Sequence, residues 1–110
     1  MNANFEQFNE LDIRVGTIIR AIPFDKAKKP AYQLIIDFGG EVGKLKSSAQ
    51  ITDLYDTNEL INKQVIAVVN FPPRQIANFM SECLVLGIHN KSGVVLLRPE
   101  RECINGDRIG

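Results

Sequence analysis

Tryptophan is absent from this 110-residue chain, histidine occurs once and cysteine only twice. Two cysteines and one histidine give no cluster with zinc-ligand spacing and no disulfide framework. No metal and no cofactor are expected. The lone histidine, His89, falls at a strand end beside a turn, where it reads as a solvent-facing polar residue. No glycine-rich segment fits a phosphate loop or a dinucleotide turn, and no serine has an identifiable base to activate it. The expectation is a protein that is not an enzyme. No run of about 18 apolar residues occurs, so no helix is expected to enter a membrane. The opening MNANFEQFNELDIR lacks the basic start and apolar core of a signal peptide, which makes the expected location cytoplasmic. Net charge is zero, with 13 basic and 13 acidic residues. Bulk attraction alone therefore cannot hold a nucleic acid here.

What the chain does have is an ordinary globular composition, 45% apolar and 24% charged, over a length that suits one domain, 1–110. The charge is unevenly placed. Between residues 14 and 50 there are seven Lys or Arg against three acids, so a local basic face on a neutral whole is open.

The first segment, NANFEQFNEL, has Asn4 as a helix cap with Gln7 three residues on, close to a capping box. A helix confined to residues 1–11 is too short to stand alone. It needs a surface to dock on, and a partner subunit is one. From Asp12 the period becomes two: Ile13, Val15, Thr17, Ile19 and Ala21 form the apolar face of a first strand. AYQLIIDFGG is a second, with Tyr32, Leu34, Ile36 and Phe38 on one face, and EVGKLKSS a third, bent at Gly43. AQITDLYDTNELIN reads as a short helix and loop. KQVIAVVNF suits a strand buried on both faces. PPRQIANFM then interrupts, SECLVLGIH resumes, NKSG turns and VVLLRP returns antiparallel. Three strands, a helical crossover and two or three more strands predict an all-β, closed or nearly closed barrel. That is the five-stranded Greek-key OB-fold with short helical elements. A β-sandwich is the rival, disfavoured by the single mid-chain crossover.

Two stretches carry side chains suited to a ligand. In KLKSSAQITD, Lys44 and Lys46 share a strand face and are followed by Ser47, Ser48 and Gln50. Hydroxyls and a carboxamide beside two cations supply phosphate contacts and base-edge hydrogen bonds together. Ser48 equally suits the cap of a helix starting near Ala49. In NFPPRQIANFMSE, Asn70 ends a strand and two prolines hold the backbone extended. Arg74 is thus thrown clear, able to grip a phosphate or stack on an unpaired base, or else to pair with Glu82 across the loop. Ser81 and Glu82 open the next strand, where the carboxylate either accepts from a base amine or simply meets water. Phe71, Ile76, Phe79 and Met80 on the same loop define an alternative. Exposed together, they would form a patch for unfolded polypeptide; Phe71 and Phe79 also suit packing.

The stretches LDIRVGTI, YQLIIDFGG, SSAQIT, QVIAVVNFPPRQIANFMSECLVL and NGDRIG, in that order, resemble the tRNA-binding domain family over about residues 8 to 110. That family includes free-standing dimers and modules appended to methionyl- and phenylalanyl-tRNA synthetases. The phrases SSAQIT and VVNFPPRQI look most like its small free-standing bacterial branch, described as a secretion-related chaperone. The resemblance implies an OB-fold homodimer that binds tRNA, built through its N-terminal segment and elements near the C-terminus. It further implies chaperone activity toward unfolded preproteins, with the protein-export machinery as a partner. Carried over by position, the ligand-facing residues are Ser47, Ser48, Gln50, Asn70, Arg74, Ser81 and Glu82; Lys44 and Lys46 are added for their charge and strand face. The chain departs from the family at Asn78, where glycine is common, so Asn78 is expected to adopt positive φ. Its early loop, FDKAKKPA, also differs from that of the synthetase modules.

Overall fold

The computed structural model describes residues 1–110. Helix α1 (Phe5–Glu10) leads into strands β1 (Ile13–Pro23), β2 (Tyr32–Asp37) and β3 (Lys44–Ala49), followed by helix α2 (Thr57–Leu60). After it come β4 (Gln64–Val68), β5 (Arg74–Ile76), β6 (Phe79–Ser81), β7 (Leu84–Val85), β8 (Gly87–Asn90) and β9 (Gly93–Leu96). Five strands form one antiparallel sheet in the order β3-β2-β1-β4-β7, while β5-β6 and β8-β9 are separate hairpins. The sheet curls until its two edges nearly meet. The result is the expected OB-like barrel.

The seam between those edges is closed largely by side chains. The Glu82 amide donates to the Lys46 carbonyl at 2.8 Å. In return the Lys46 amide donates to Glu82 Oε1 at 2.9 Å, and the Ser48 amide to Ser81 Oγ at 3.0 Å. Beneath them Ser47 Oγ donates to the Cys83 carbonyl at 3.1 Å. Edge amides that would otherwise be left open thus find partners.

The alternation predicted for β2 holds: Leu34, Ile36 and Phe38 are all in the core cluster with Ile18, Leu60 and Val65. In β1 it does not. Ile18, in phase with Gly16, is 0% exposed, whereas Ile19, expected on the apolar face, is 39% exposed and lies at a bulge between Ile18 and Arg20 that shifts the register against β2. Gly16 faces inward where a Cβ would lie 2.7 Å from Ile36 and Phe38, which is why this position carries no side chain. The first half of β1 gains a further neighbour, because the Val15 amide donates to the Asp107 carbonyl at 2.9 Å and the Ile109 amide to the Ile13 carbonyl at 2.8 Å.

Helix α1 has the anticipated capping box, with the Asn4 and Gln7 amides each donating to the other's side chain at 2.9 Å. None of its residues is buried. Helix α2 corrects an expectation. It is capped by Asp56, and Ser48 lies inside β3, so no helix starts near Ala49 and Ser48 caps nothing. PPRQIANFM likewise proves to be more than an interruption. It contains the hairpin β5-β6, paired Arg74↔Ser81, Gln75↔Met80 and Ile76↔Phe79. Its positive φ falls at Ala77 (49°) and not at Asn78. A two-residue hairpin turn calls for that conformation at its first central residue, and Gln75 Nε2 braces it by donating to the Ala77 carbonyl at 2.7 Å.

Candidate nucleic-acid interface

The seam opens outward into a groove of about 440 Å³ walled by β3, the β5-β6 hairpin, β7 and the β8-β9 hairpin. Five of the anticipated ligand residues meet there: Ser48, Gln50, Arg74, Ser81 and Glu82. Two residues of the polypeptide-binding alternative, Phe71 and Ile76, line the same groove, with Ile51, Val85 and Val94 adding apolar surface. Both readings therefore converge on one concavity.

Its polar groups are partly committed and partly free. Ser81 Oγ accepts from the Ser48 amide, which leaves the hydroxyl proton to donate elsewhere. Glu82 uses Oε1 on the Lys46 amide and keeps Oε2 available. Arg74 is exposed and forms no ion pair. The bridge to Glu82 considered from sequence is not formed, because β5 places Arg74 opposite Ser81 instead. A guanidinium fork, a hydroxyl donor, a carboxylate acceptor and the Gln50 carboxamide thus rim an apolar floor. That combination accepts a flat, edge-functional ring as readily as an apolar side chain.

The other candidates lie elsewhere. Ser47 points into the barrel, 0% exposed, because side chains along β3 alternate and its neighbours Lys46 and Ser48 take the outer face. Its hydroxyl serves Cys83, which removes Ser47 from the ligand-facing set. Asn70 holds α1 in place: its Oδ1 accepts the Asp12 amide at 2.9 Å and its Nδ2 donates to the Glu10 carbonyl at 2.8 Å. Lys44 and Lys46 share the outer face of β3 but do not line the groove. The Lys46 ammonium sits 5.3 Å from the centre of the Phe79 ring, and Phe79 in turn packs edge-on against Phe24 at 5.4 Å. Phe79 is thus a packing residue. Met80 is exposed and lies outside the groove.

One lining residue was not anticipated. His89 borders both the groove and a second, polar cavity of about 430 Å³. Nothing near it in sequence signals this, because the β8-β9 hairpin is brought there by packing on residues 53 and 54. Beneath the groove, burial pushes the Cys83 thiol up to about 12, against a smaller lowering from its hydrogen bond with Ser47. It is an inert core thiol. No three His, Cys, Asp or Glu side chains come together as a metal site, and no helix is long and apolar enough to cross a membrane.

An OB-like barrel with an open groove of mixed polarity along its closure seam is the framework of a binding module. Residues 13–108 match the family model described as "Putative tRNA binding domain", and the chain belongs to that family. Among solved structures it is similar to the CsaA chaperone protein of Picrophilus torridus, at 52% identity and a TM-score of 0.95, covering 99% of this chain and 100% of that one. The chaperone CsaA of Bacillus anthracis is similar at 50% identity and a TM-score of 0.93, with 100% of both chains covered. Methionine–tRNA ligase of Parabacteroides distasonis is 35% identical over 109 residues, which are 98% of this chain and 16% of the ligase. The chain thus spans about one-sixth of the length of such ligases.

Proposed function

We propose that the protein is a non-catalytic, cytoplasmic module that binds tRNA or similarly structured RNA through the seam groove, acting as a homodimer. The observation that carries the reading is Arg74. It stands exposed and unpaired on a short hairpin at the rim of a groove whose other edge groups are Ser48, Gln50, Ser81 and Glu82. An unpaired base has an apolar face for the floor and donor and acceptor edges for the rim, and single-stranded loops and ends are where RNA offers such bases. Membership in the tRNA-binding domain family supports the same ligand. The dimer is inferred from α1, which exposes Phe5 and Phe8 and buries nothing. Lys44 and Lys46 would extend the contact along the outer face of β3 toward the RNA backbone.

A second reading has its own support. Phe71 and Leu84 are exposed and line the groove, and the similar structures from P. torridus and B. anthracis bear the name chaperone. On that reading the groove holds apolar segments of unfolded preproteins on their way to the export machinery.

Titration of wild type and Arg74→Ala with bulk tRNA at two salt concentrations separates the two. RNA binding through the groove gives weaker binding for the variant and marked salt sensitivity in the wild type. Unchanged tRNA affinity in Arg74→Ala, with protection of an aggregating client lost, would assign the groove to polypeptide.

A further inference from the structure

We propose that the polar cavity beside the groove is a phosphodiester subsite, holding the backbone of the same RNA strand whose base enters the groove. The inference rests on the RNA-binding reading and extends it to residues outside the groove rim. The two cavities are contiguous, sharing Gln50, His89 and Val94 as common walls. They differ in character. Only one of the ten residues around the second cavity is hydrophobic, so it has no floor for a base.

Its charged groups suit a single phosphate. Lys29 reaches it from the β1-β2 loop and Lys91 from the β8-β9 turn, and neither forms an ion pair. Asp53 lines the same cavity, so two lysines stand against one acid there. The surplus of one positive charge matches the single negative charge of a phosphodiester and disfavours a polyphosphate. Asn90 Oδ1 is occupied by the Ser92 amide at 3.0 Å, which leaves its amide N–H groups to donate outward. Thr52 adds a half-buried hydroxyl.

The cavity is also held in shape. Gly93 (φ 139°) lets the β8-β9 turn approach so closely that a Cβ there would stand 2.7 Å from the Cβ of Asp53. The turn bearing Lys91 is therefore seated on the loop bearing Thr52 and Asp53. Two lysines from separate elements, set on a firm base next to a base-sized groove, form a place for one nucleotide's phosphate.

The test uses the full chain and bulk tRNA, with the binding constant measured over a range of salt. The double variant Lys29→Ala/Lys91→Ala is expected to bind more weakly and to show a salt slope shallower by about 1. Phe71→Ala is expected to weaken binding while leaving the slope as it was, and Lys63→Ala, which lines neither cavity, to change nothing. A double variant with wild-type affinity and slope, alongside a weakened Arg74→Ala, overturns the subsite and leaves the RNA reading standing. Absence of tRNA binding by the wild type overturns both. Loss of client protection in the double variant with its tRNA binding intact assigns the cavity to polypeptide and overturns the proposal as well.

Discussion

Glu82 and Lys46 exchange two hydrogen bonds as strand neighbours do, yet one of the two acceptors is a side chain: the Lys46 amide donates to Glu82 Oε1 at 2.9 Å while the Glu82 amide donates to the Lys46 carbonyl at 2.8 Å. A carboxylate stands where a backbone carbonyl would complete the ladder. Glu82→Ala is accordingly expected to lower stability by about 2 kcal/mol, the scale of a hydrogen bond to a charged group whose partner is then left unsatisfied. Glu82→Gln keeps an acceptor and should cost far less. Urea unfolding of the two variants checks this; equal midpoints would mean that the seam does not depend on the carboxylate.

Ala77 occupies the first central position of the β5-β6 turn at φ 49°, a conformation in which its Cβ is crowded. Glycine relieves about 1 kcal/mol of that crowding but adds roughly 0.5–1 kcal/mol of chain entropy to be lost on folding. Ala77→Gly is therefore expected to be neutral to stabilising by under about 1 kcal/mol. Ala77→Val, β-branched at positive φ, should destabilise the hairpin, with tRNA affinity falling as Arg74 loses its mounting. Thermal melts and titrations of both variants test the pair.

The Cys83 thiol, raised from 9.0 to about 12 by burial, gives stability a defined pH dependence. A group whose folded value is raised contributes fully below its unfolded value and loses that contribution as pH climbs toward the folded one. Stability should fall by about 1.4 kcal/mol per pH unit between roughly pH 9 and 12. Cys83→Ala should remove this component of the slope, as denaturant midpoints at stepped pH would reveal. In the native state a thiol reagent at neutral pH should modify Cys103, which is partly exposed, and spare Cys83 until unfolding.

Helix α1 exposes Phe5 at 73% and Phe8 at 36%, with the two rings stacked 6.4 Å apart. Covering them with a second copy is the proposed role of the helix. Phe5→Ser/Phe8→Ser should dissociate the dimer without lowering the barrel's intrinsic stability, since no residue of α1 is buried within the chain. Sedimentation equilibrium reads the mass. A wild type that sediments as a monomer, or a variant that stays dimeric, removes α1 from the interface.

Features set by neighbouring residues were legible in the sequence. The period of two through Leu34, Ile36 and Phe38 runs without a break, and the Asn4–Gln7 capping box is complete within four positions. Features set by distant partners were not. Ile13 and Val15 are buried but lie outside the core cluster that takes in Ile18, so the phase they set does not carry on to Ile19. Asn70 looked available because its partners, Asp12 and Glu10, stand 58 and 60 residues away. Ser47 and Ser48 share the same chemistry, yet adjacent strand residues face opposite ways. The hairpin at Arg74 has strands of three residues each, too few to show a period. His89 entered the site through the β8-β9 fold alone.

The bonds tying Val15 to Asp107 and Ile13 to Ile109 have a consequence for synthesis. On a ribosome the first strand emerges early, but the segment that covers this part of its edge emerges some 90 residues later. At about 5–20 residues per second that is a wait of several seconds or more. Throughout it Ile13 and Val15 belong to an open strand edge, the kind that pairs with strangers. The barrel is sealed from its far end backward, and a nascent chain stalled before Gly106 would carry an unsealed β1.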